Sequence, residues 1–216
     1  MIRYRIPAGF GQAELVERHS RFISRVWPVE TEAEAVACIR QMREQHWDAT
    51  HNVYAYILRT GGIMRYSDDG EPQGTSGMPT LNVFRSAGIF NVCCVVTRYF
   101  GGILLGAGGL VRAYGAAAKL ALDAAGISVM GLWKRYLIGC SYGQFERIRL
   151  ELEFFGAVTE DTDYGADIVI TALLPEENAD AFCTRVVDMT AGTVCPDYVD
   201  EEYRAVRIGG GKDDRN

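Results

Sequence analysis

Apolar and polar positions along the chain switch several times between the period of a strand and that of a helix. Residues 2–6, 12–16 and 20–27 read as short strands, the last alternating polar and apolar until Pro28 ends it. Thr31-Glu32-Ala33-Glu34 then forms a capping box, in which the Thr31 hydroxyl and the Glu34 carboxylate satisfy amides that have no partner inside the helix. Ala35, Ile39 and Met42, with Val36 and Cys38 beside them, give that helix an apolar stripe as far as Gln45, and His46 and Trp47 close it. A strand over 52–59, a turn at Thr60-Gly61-Gly62 and a short strand over 63–66 follow. Residues 67–79 are crowded with turn formers, and thirteen residues make a long connection for a compact domain. A short helix is predicted over 81–87. The β-branched run Val92-Cys93-Cys94-Val95-Val96 reads as a buried strand, followed by glycine-rich residues 101–109 and an alanine-rich helix over 113–125.

Beyond residue 130 the pattern starts afresh. A strand over 132–140 leads to a second capping box, Ser141 with Gln144, and to the stripe Phe145, Ile148, Leu152 and Phe155, which Gly156 stops. Strands over 157–161 and 168–174 flank a turn at Asp163-Tyr164-Gly165. Pro175 opens a helix with Phe182, Val186 and Met189 on its inner face, and 193–199 gives a last strand. This β-α-β-β-α-β order is the ferredoxin-like pattern. The fold class is α+β in two domains, residues 1–130 and residues 131–206, followed by a flexible tail over 207–216.

Composition changes this picture little. The 216 residues are 48% hydrophobic and 23% charged, as in ordinary globular proteins. No apolar run is long enough to span a membrane, and the first residues, Met1-Ile2-Arg3-Tyr4-Arg5, lack the apolar core of a signal peptide, so a cytoplasmic location is expected. The six cysteines show no C-x-x-C spacing and read as buried thiols. Charge is more informative. Residues 1–130 carry 13 Lys and Arg against 11 Asp and Glu, and the remainder 9 against 17; these balances of +2 and −8 make up the net −6. An anionic partner is therefore expected at the first domain, where twelve of the thirteen cations are arginine.

Candidate chemistry gathers around the glycines. Gly101, Gly102, Gly106, Gly108 and Gly109 permit positive φ and leave amides uncovered near a helix start, a setting that suits an anion. Arg98 precedes them. Arg112 and Lys119, seven residues apart on the next helix, lie within about 20° of each other around its axis, with only Gly115 and Ala116 between them on that face. The alternative is that the glycines merely turn a corner. Neither nucleotide-binding glycine fingerprint is present. In the preceding loop, Asp68, Asp69 and Glu71, with His51 nearby, either support this surface or hold Mg²⁺; turn chemistry and salt bridges to Arg98 or Arg112 are the preferred reading, so no metal and no cofactor are expected. A hydrolase has little to stand on: Gly74-Thr75-Ser76-Gly77 is not a nucleophile elbow, and a Ser76/His51 pair lacks a third member.

The stretch Thr97-Arg98-Tyr99-Phe100-Gly101-Gly102-Ile103-Leu104-Leu105-Gly106-Ala107-Gly108-Gly109-Leu110-Val111-Arg112-Ala113-Tyr114 closely resembles the signature of the Impact/YigZ family. Ser20-Arg21-Phe22-Ile23, Asp48-Ala49-Thr50-His51-Asn52 and residues 68–77 are similar to the family's other blocks, in the same order. The resemblance implies a ribosomal-protein-S5-domain-2-like first domain, a fold also found in some small-molecule kinases, and a ferredoxin-like second domain. It also implies a link to translation, since eukaryotic Impact proteins restrain the kinase that answers amino-acid starvation by competing for its activator. The N-terminal domain they use for part of that contact is not in this sequence, so what carries over is the surface, binding RNA, the ribosome or a translation-associated protein. A nucleotide- or Mg²⁺-dependent phosphotransfer enzyme using the same loop is the alternative.

Overall fold

A computed structural model describes residues 3–208. In chain order the elements are β1 (Tyr4–Pro7), β2 (Gly11–Glu17), β3 (Ser20–Pro28), α1 (Glu32–Gln45), β4 (His51–Leu58), a 3-10 turn (Thr60–Gly62), β5 (Ile63–Ser67), α2 (Gly77–Ala87), β6 (Val92–Tyr99) and α3 (Gly106–Ala125). Then follow β7 (Ile127–Cys140), α4 (Tyr142–Phe154), β8 (Val158–Tyr164), β9 (Ile168–Pro175), α5 (Glu176–Met189) and β10 (Asp197–Ile208). The chain divides into two compact units, one over residues 4–129 with the end of β10, the other over 130–205 with Arg3. The tail expected from 207 falls, from 209 on, outside the described residues, and 207 and 208 belong to β10.

The first unit is built on a sheet in the order β2-β3-β6-β4-β5. β6 lies at its centre, antiparallel to both β3 and β4. Helices cover both of its faces: Cys94 and Val96 pack among α2 and α3, Cys93 and Val95 against α1. Burial on two sides is why Val92–Val96 is apolar without alternation. The α1 capping box forms as its spacing predicts, and Ala35, Ile39 and Met42 are the buried stripe, with Val36 left outside. In the second unit β7, β9 and β8 are neighbours, β10 pairs with β7, and the core lies between this sheet and Ile148, Leu152, Phe182 and Val186 of α4 and α5. The strand order 10-7-9-8 is that of the β-α-β-β-α-β pattern.

Several boundaries depart from the sequence reading. β6 runs three residues past Val96, so Thr97, Arg98 and Tyr99 are strand and not loop. α3 starts at Gly106 and not at Ala113, because Leu110 joins Ala113, Tyr114 and Ala117 in the buried face and tertiary packing outweighs the poor helix propensity of glycine. α2 takes in Pro79 within its first turn, where proline is tolerated, which shortens the loop to 68–76. β10 begins at Asp197, four residues after the predicted start. Pro175 stands at the cap of α5, one place before the first helical residue. All six cysteines are free thiols, but Cys195 is exposed and Cys38 and Cys183 are half-buried.

The glycines sort by physical cause. A Cβ at Gly101 would lie 2.0 Å from the carbonyl carbon of His19, so this position is fixed by the close approach of two chains. At Gly108, inside α3, a Cβ would meet nothing nearer than Arg112 Nη1 at 3.5 Å. Gly101→Ala should therefore cost about 1–3 kcal/mol or more through overpacking, whereas Gly108→Ala should stabilise by about 0.5–1 kcal/mol through helix propensity. Urea unfolding of the two variants checks the opposite signs.

Candidate functional site

Pairing register builds the site. Across β3, β6 and β4, Phe22, Arg98 and His51 stand in one row, and Phe22 belongs to the core beneath α3. The Arg98 side chain, 5% exposed, lies with its guanidinium carbon 5.4 Å from the centre of the Phe22 ring and 5.6 Å from that of Phe100. A cation buried there requires an anion, and the loop after β5 supplies it. Arg98 Nη1 donates to Glu71 Oε1 at 2.6 Å, and the Glu71 side chain is 3% exposed. Arg98 Nη2 donates to Ser20 Oγ at 3.2 Å, which also accepts the Gly101 N–H at 3.2 Å. The Tyr114 hydroxyl on α3 donates to the same Glu71 oxygen at 2.7 Å; burial, followed by this bond, raises its phenol far above the ordinary value and keeps it a donor. His51 Nδ1 lies 2.8 Å from the Asp69 carbonyl, which can only accept, so this nitrogen carries a proton. Its Nε2 lies 3.7 Å from Glu71 Oε2.

The other two carboxylates of the loop shape it. Asp68 Oδ1 accepts from the Ser76 hydroxyl at 2.7 Å and from the Ser76 and Gly77 amides at 3.1 and 2.8 Å, while Oδ2 accepts from the Gly74 amide at 2.8 Å. Burial pushes the Asp68 carboxyl up, and these bonds outweigh it, leaving the group below its ordinary value. Asp69, at a φ of 46°, accepts from Arg43 at 2.7 Å and from the Asn52 amide at 2.7 Å. Only Glu71 of the three reaches Arg98. The Ser76 hydroxyl is turned to Asp68 while His51 is turned to Asp69 and Glu71, so the two do not form a nucleophile and its base.

Beside this cluster opens a cavity of about 340 Å³, lined by Thr50, His51, Glu71 and Arg98 on its polar side. Phe100 and Leu104, 46% and 80% exposed, form part of the apolar side, and Gly106 and Ala107 of the first turn of α3 also line it. The acidic loop and the glycine segment thus share one wall-to-wall space. α1, α2 and α4 have side-chain partners at their N-termini, from Thr31 with Glu34, from Asp68, and from Ser141 with Gln144. α3 is preceded by Leu105, which offers no side-chain acceptor, and its first turn holds no acidic residue.

The predicted cations divide. Arg98 is inside and neutralised. Arg112 is exposed, and its Nη1 sits over Gly108, back toward the start of α3. Lys119 is exposed further along the helix and pairs with Asp123. Gly115, between them, is open to solvent-side approach. Gly106 needs its φ of 72° to begin the helix, and Gly109 lies under Leu105, where a Cβ would be 2.9 Å away; Gly102, at a φ of 83°, turns the chain. Ser20, Tyr114 and Phe100 escaped the reading of sites. Each lies inside a motif block, but only the pairing of β3 with β6 brings residue 20 to residue 101.

The Impact N-terminal domain family matches residues 18–122, and a domain of unknown function, DUF1949, matches residues 138–193. The chain is 37% identical over 183 residues to the IMPACT family member YvyE of Bacillus subtilis, covering 84% of each protein. It belongs to the IMPACT family. This IMPACT family member is also 32% identical to YigZ of Escherichia coli over 82% of its own length and 88% of that protein's. Its likeness to Protein IMPACT of Rattus norvegicus, 31% over 98 residues, spans 44% of this chain and 31% of the rat protein. A solved structure described as a crystal structure of a hypothetical protein is 30% identical, with a TM-score of 0.58, over 93% of this chain and 98% of that one.

Breaking the buried pair from one side should be costly. Arg98→Met or Glu71→Leu alone is expected to lose about 3–5 kcal/mol, and the double variant should recover most of it; urea unfolding of all four forms completes the cycle. Asp68 adds a pH dependence. Its folded value lies below the ordinary 3.8, so its contribution is complete above that value and disappears as pH falls through the folded one. Acid unfolding of Asp68→Asn, which starts from lower stability, should depend less on pH in that window than wild type, as followed by circular dichroism.

Proposed function

We propose that this IMPACT family member is a cytoplasmic, translation-linked binding protein that receives an anionic group of RNA, of the ribosome or of an acidic protein surface at the head of α3. The observation that carries this reading is the uncapped first turn of α3, opening on the cavity with the Arg112 guanidinium folded back over Gly108. Unpaired amides and the positive end of the helix dipole attract negative charge, and an exposed guanidinium adds a bidentate donor. Arg98, the first cation singled out in the sequence, has a different part: its charge is matched by Glu71, so it shapes the floor and leaves recruitment to Arg112. The translation link follows from the resemblance of the motif blocks to those of Impact proteins. Phosphotransfer with Mg²⁺ on the acidic loop has less support, because both carboxylates of Asp68 and Asp69 are engaged in holding that loop.

Ribosome co-sedimentation and gel shift across a salt series test the proposal. Arg112→Ala should weaken association and lower the salt slope by about one, while Lys119→Ala, removing a cation already paired with Asp123, should do less. Association unchanged in Arg112→Ala at every salt concentration would overturn the assignment.

A further inference from the structure

We infer that Cys38 and Cys93 are a peroxide-sensitive thiol pair, in which a hydroperoxide oxidises Cys38 and Cys93 then closes a reversible disulfide between α1 and β6. The inference is independent of the anion-binding reading, since it concerns the α1 face of the sheet and not the α3 face. Placement comes first. Cys93 lies on β6 among the residues that pack against Ala35, Ile39 and Met42 of α1, and Cys38 packs against the same cluster. The Cys93 Sγ sits 3.7 Å from the carbonyl oxygen of Ala35, one turn before Cys38. Helical side chains lean back over the preceding turn, so the Cys38 thiol is directed toward the place that Cys93 occupies. Cys94 takes no part, because neighbouring strand residues face opposite sides and its thiol lies 3.6 Å from Ser24 Oγ.

The two sulfurs are unequal. A hydrogen bond from Cys93 holds the Cys38 thiol below its ordinary value, outweighing burial and the Glu34 carboxylate. The same contact, followed by burial, pushes the Cys93 thiol well above its own. Burial also raises Cys94, Cys140 and Cys183, so among these five only Cys38 is shifted toward thiolate. Cys38 is half-buried and within reach of a small hydroperoxide, whereas Cys93 is sealed in the core. A reachable sulfur with thiolate character beside a sheltered thiol suits a sensing cysteine and its resolving partner. The Cys38 sulfur attacks the peroxide, the O–O bond breaks, and a sulfenic acid forms while the departing oxygen takes up a proton and leaves as an alcohol or water. The Cys93 sulfur then attacks the Cys38 sulfur; the S–O bond breaks, and the hydroxyl leaves as water with the Cys93 proton. The thiol pair gives up two electrons and the peroxide accepts them. The helix tied down in this way is the one whose Arg43 holds Asp69.

Peptide mapping of the full chain by mass spectrometry tests this. The reduced protein is treated with hydrogen peroxide at neutral pH, its remaining thiols are blocked with N-ethylmaleimide, and the digest is read with and without dithiothreitol. The expected product is a linked peptide pair joining Cys38 to Cys93, lighter by two hydrogens and separated again by dithiothreitol. Cys38 should be lost about fivefold faster than the exposed Cys195, because thiolate character and not exposure alone sets the rate. In Cys93→Ala, where no resolving thiol remains, a sulfenic acid should accumulate at Cys38 and be captured by dimedone. In Cys38→Ser, Cys93 should stay reduced. Circular dichroism confirms that both variants are folded, and the mapping of the unmodified chain decides the matter without them. Cys38 still reduced when Cys195 is fully oxidised, Cys38 passing to sulfinic acid with Cys93 unlinked, or a disulfide joining any other pair would overturn the inference.

Discussion

A guanidinium sealed between two phenylalanines at the end of a central strand is the constraint from which most of the first unit follows. Arg98 is itself buried in β6, next to buried Thr97, so its charge has to be met locally. The adjacent strands contribute Phe22, Ser20 and His51 but no carboxylate at that place. Glu71 must therefore come from the connection after β5, and a connection that delivers a buried charge cannot wander. Asp68 ties residues 74–77 together, Asp69 reaches Arg43 on α1 and the amide of Asn52, and Tyr114 closes on Glu71 from α3. One ion pair thus couples the loop, two helices and three strands, and truncating either partner leaves the other charge buried without its mate.

This coupling also explains what the sequence could disclose. Local signals were legible wherever a side chain acts within four residues of its own position: the Thr31 and Ser141 capping boxes, the α1 stripe, and the β-α-β-β-α-β order of the second unit. The start of α3 was not, because glycines at 106, 108 and 109 argue locally for a loop, and only the burial of Leu110 and Tyr114 against the sheet makes a helix there. The motif residues drew attention to Asp68, Asp69, Glu71, His51 and Arg98 together. Their division of labour was invisible, since it depends on which side chain faces inward from a loop whose path is set by contacts tens of residues away.

Arginine illustrates the same limit through charge. Counted along the chain, Arg98 and Arg112 are equal cations. Burial makes one a structural ion whose partner is fixed, and exposure makes the other available. The acidic second unit repeats the lesson with opposite sign: Arg135 on β7 gathers Glu160, Asp200 and Glu202, so part of its −8 balance is internal bookkeeping of a strand face and not a field offered to partners.

The glycines at the head of α3 separate structural necessity from something else. Gly106 needs a left-handed φ, Gly109 has Leu105 against it, and Gly101 meets the backbone of His19. Gly108 answers to none of these: it has an ordinary helical position, a Cβ there would make only an ordinary contact with Arg112 Nη1 at 3.5 Å, and its helix propensity is about 1 kcal/mol poorer than that of alanine. A residue that weakens the helix without being required by its packing is understandable if its bare surface is used from outside. The placement fits, since the same turn lacks a cap, borders the cavity and carries the Arg112 guanidinium above it. Stability forgone at one position and amides left unpaired at the adjoining ones are then a single feature, a helix start kept open for a group that the chain itself does not supply.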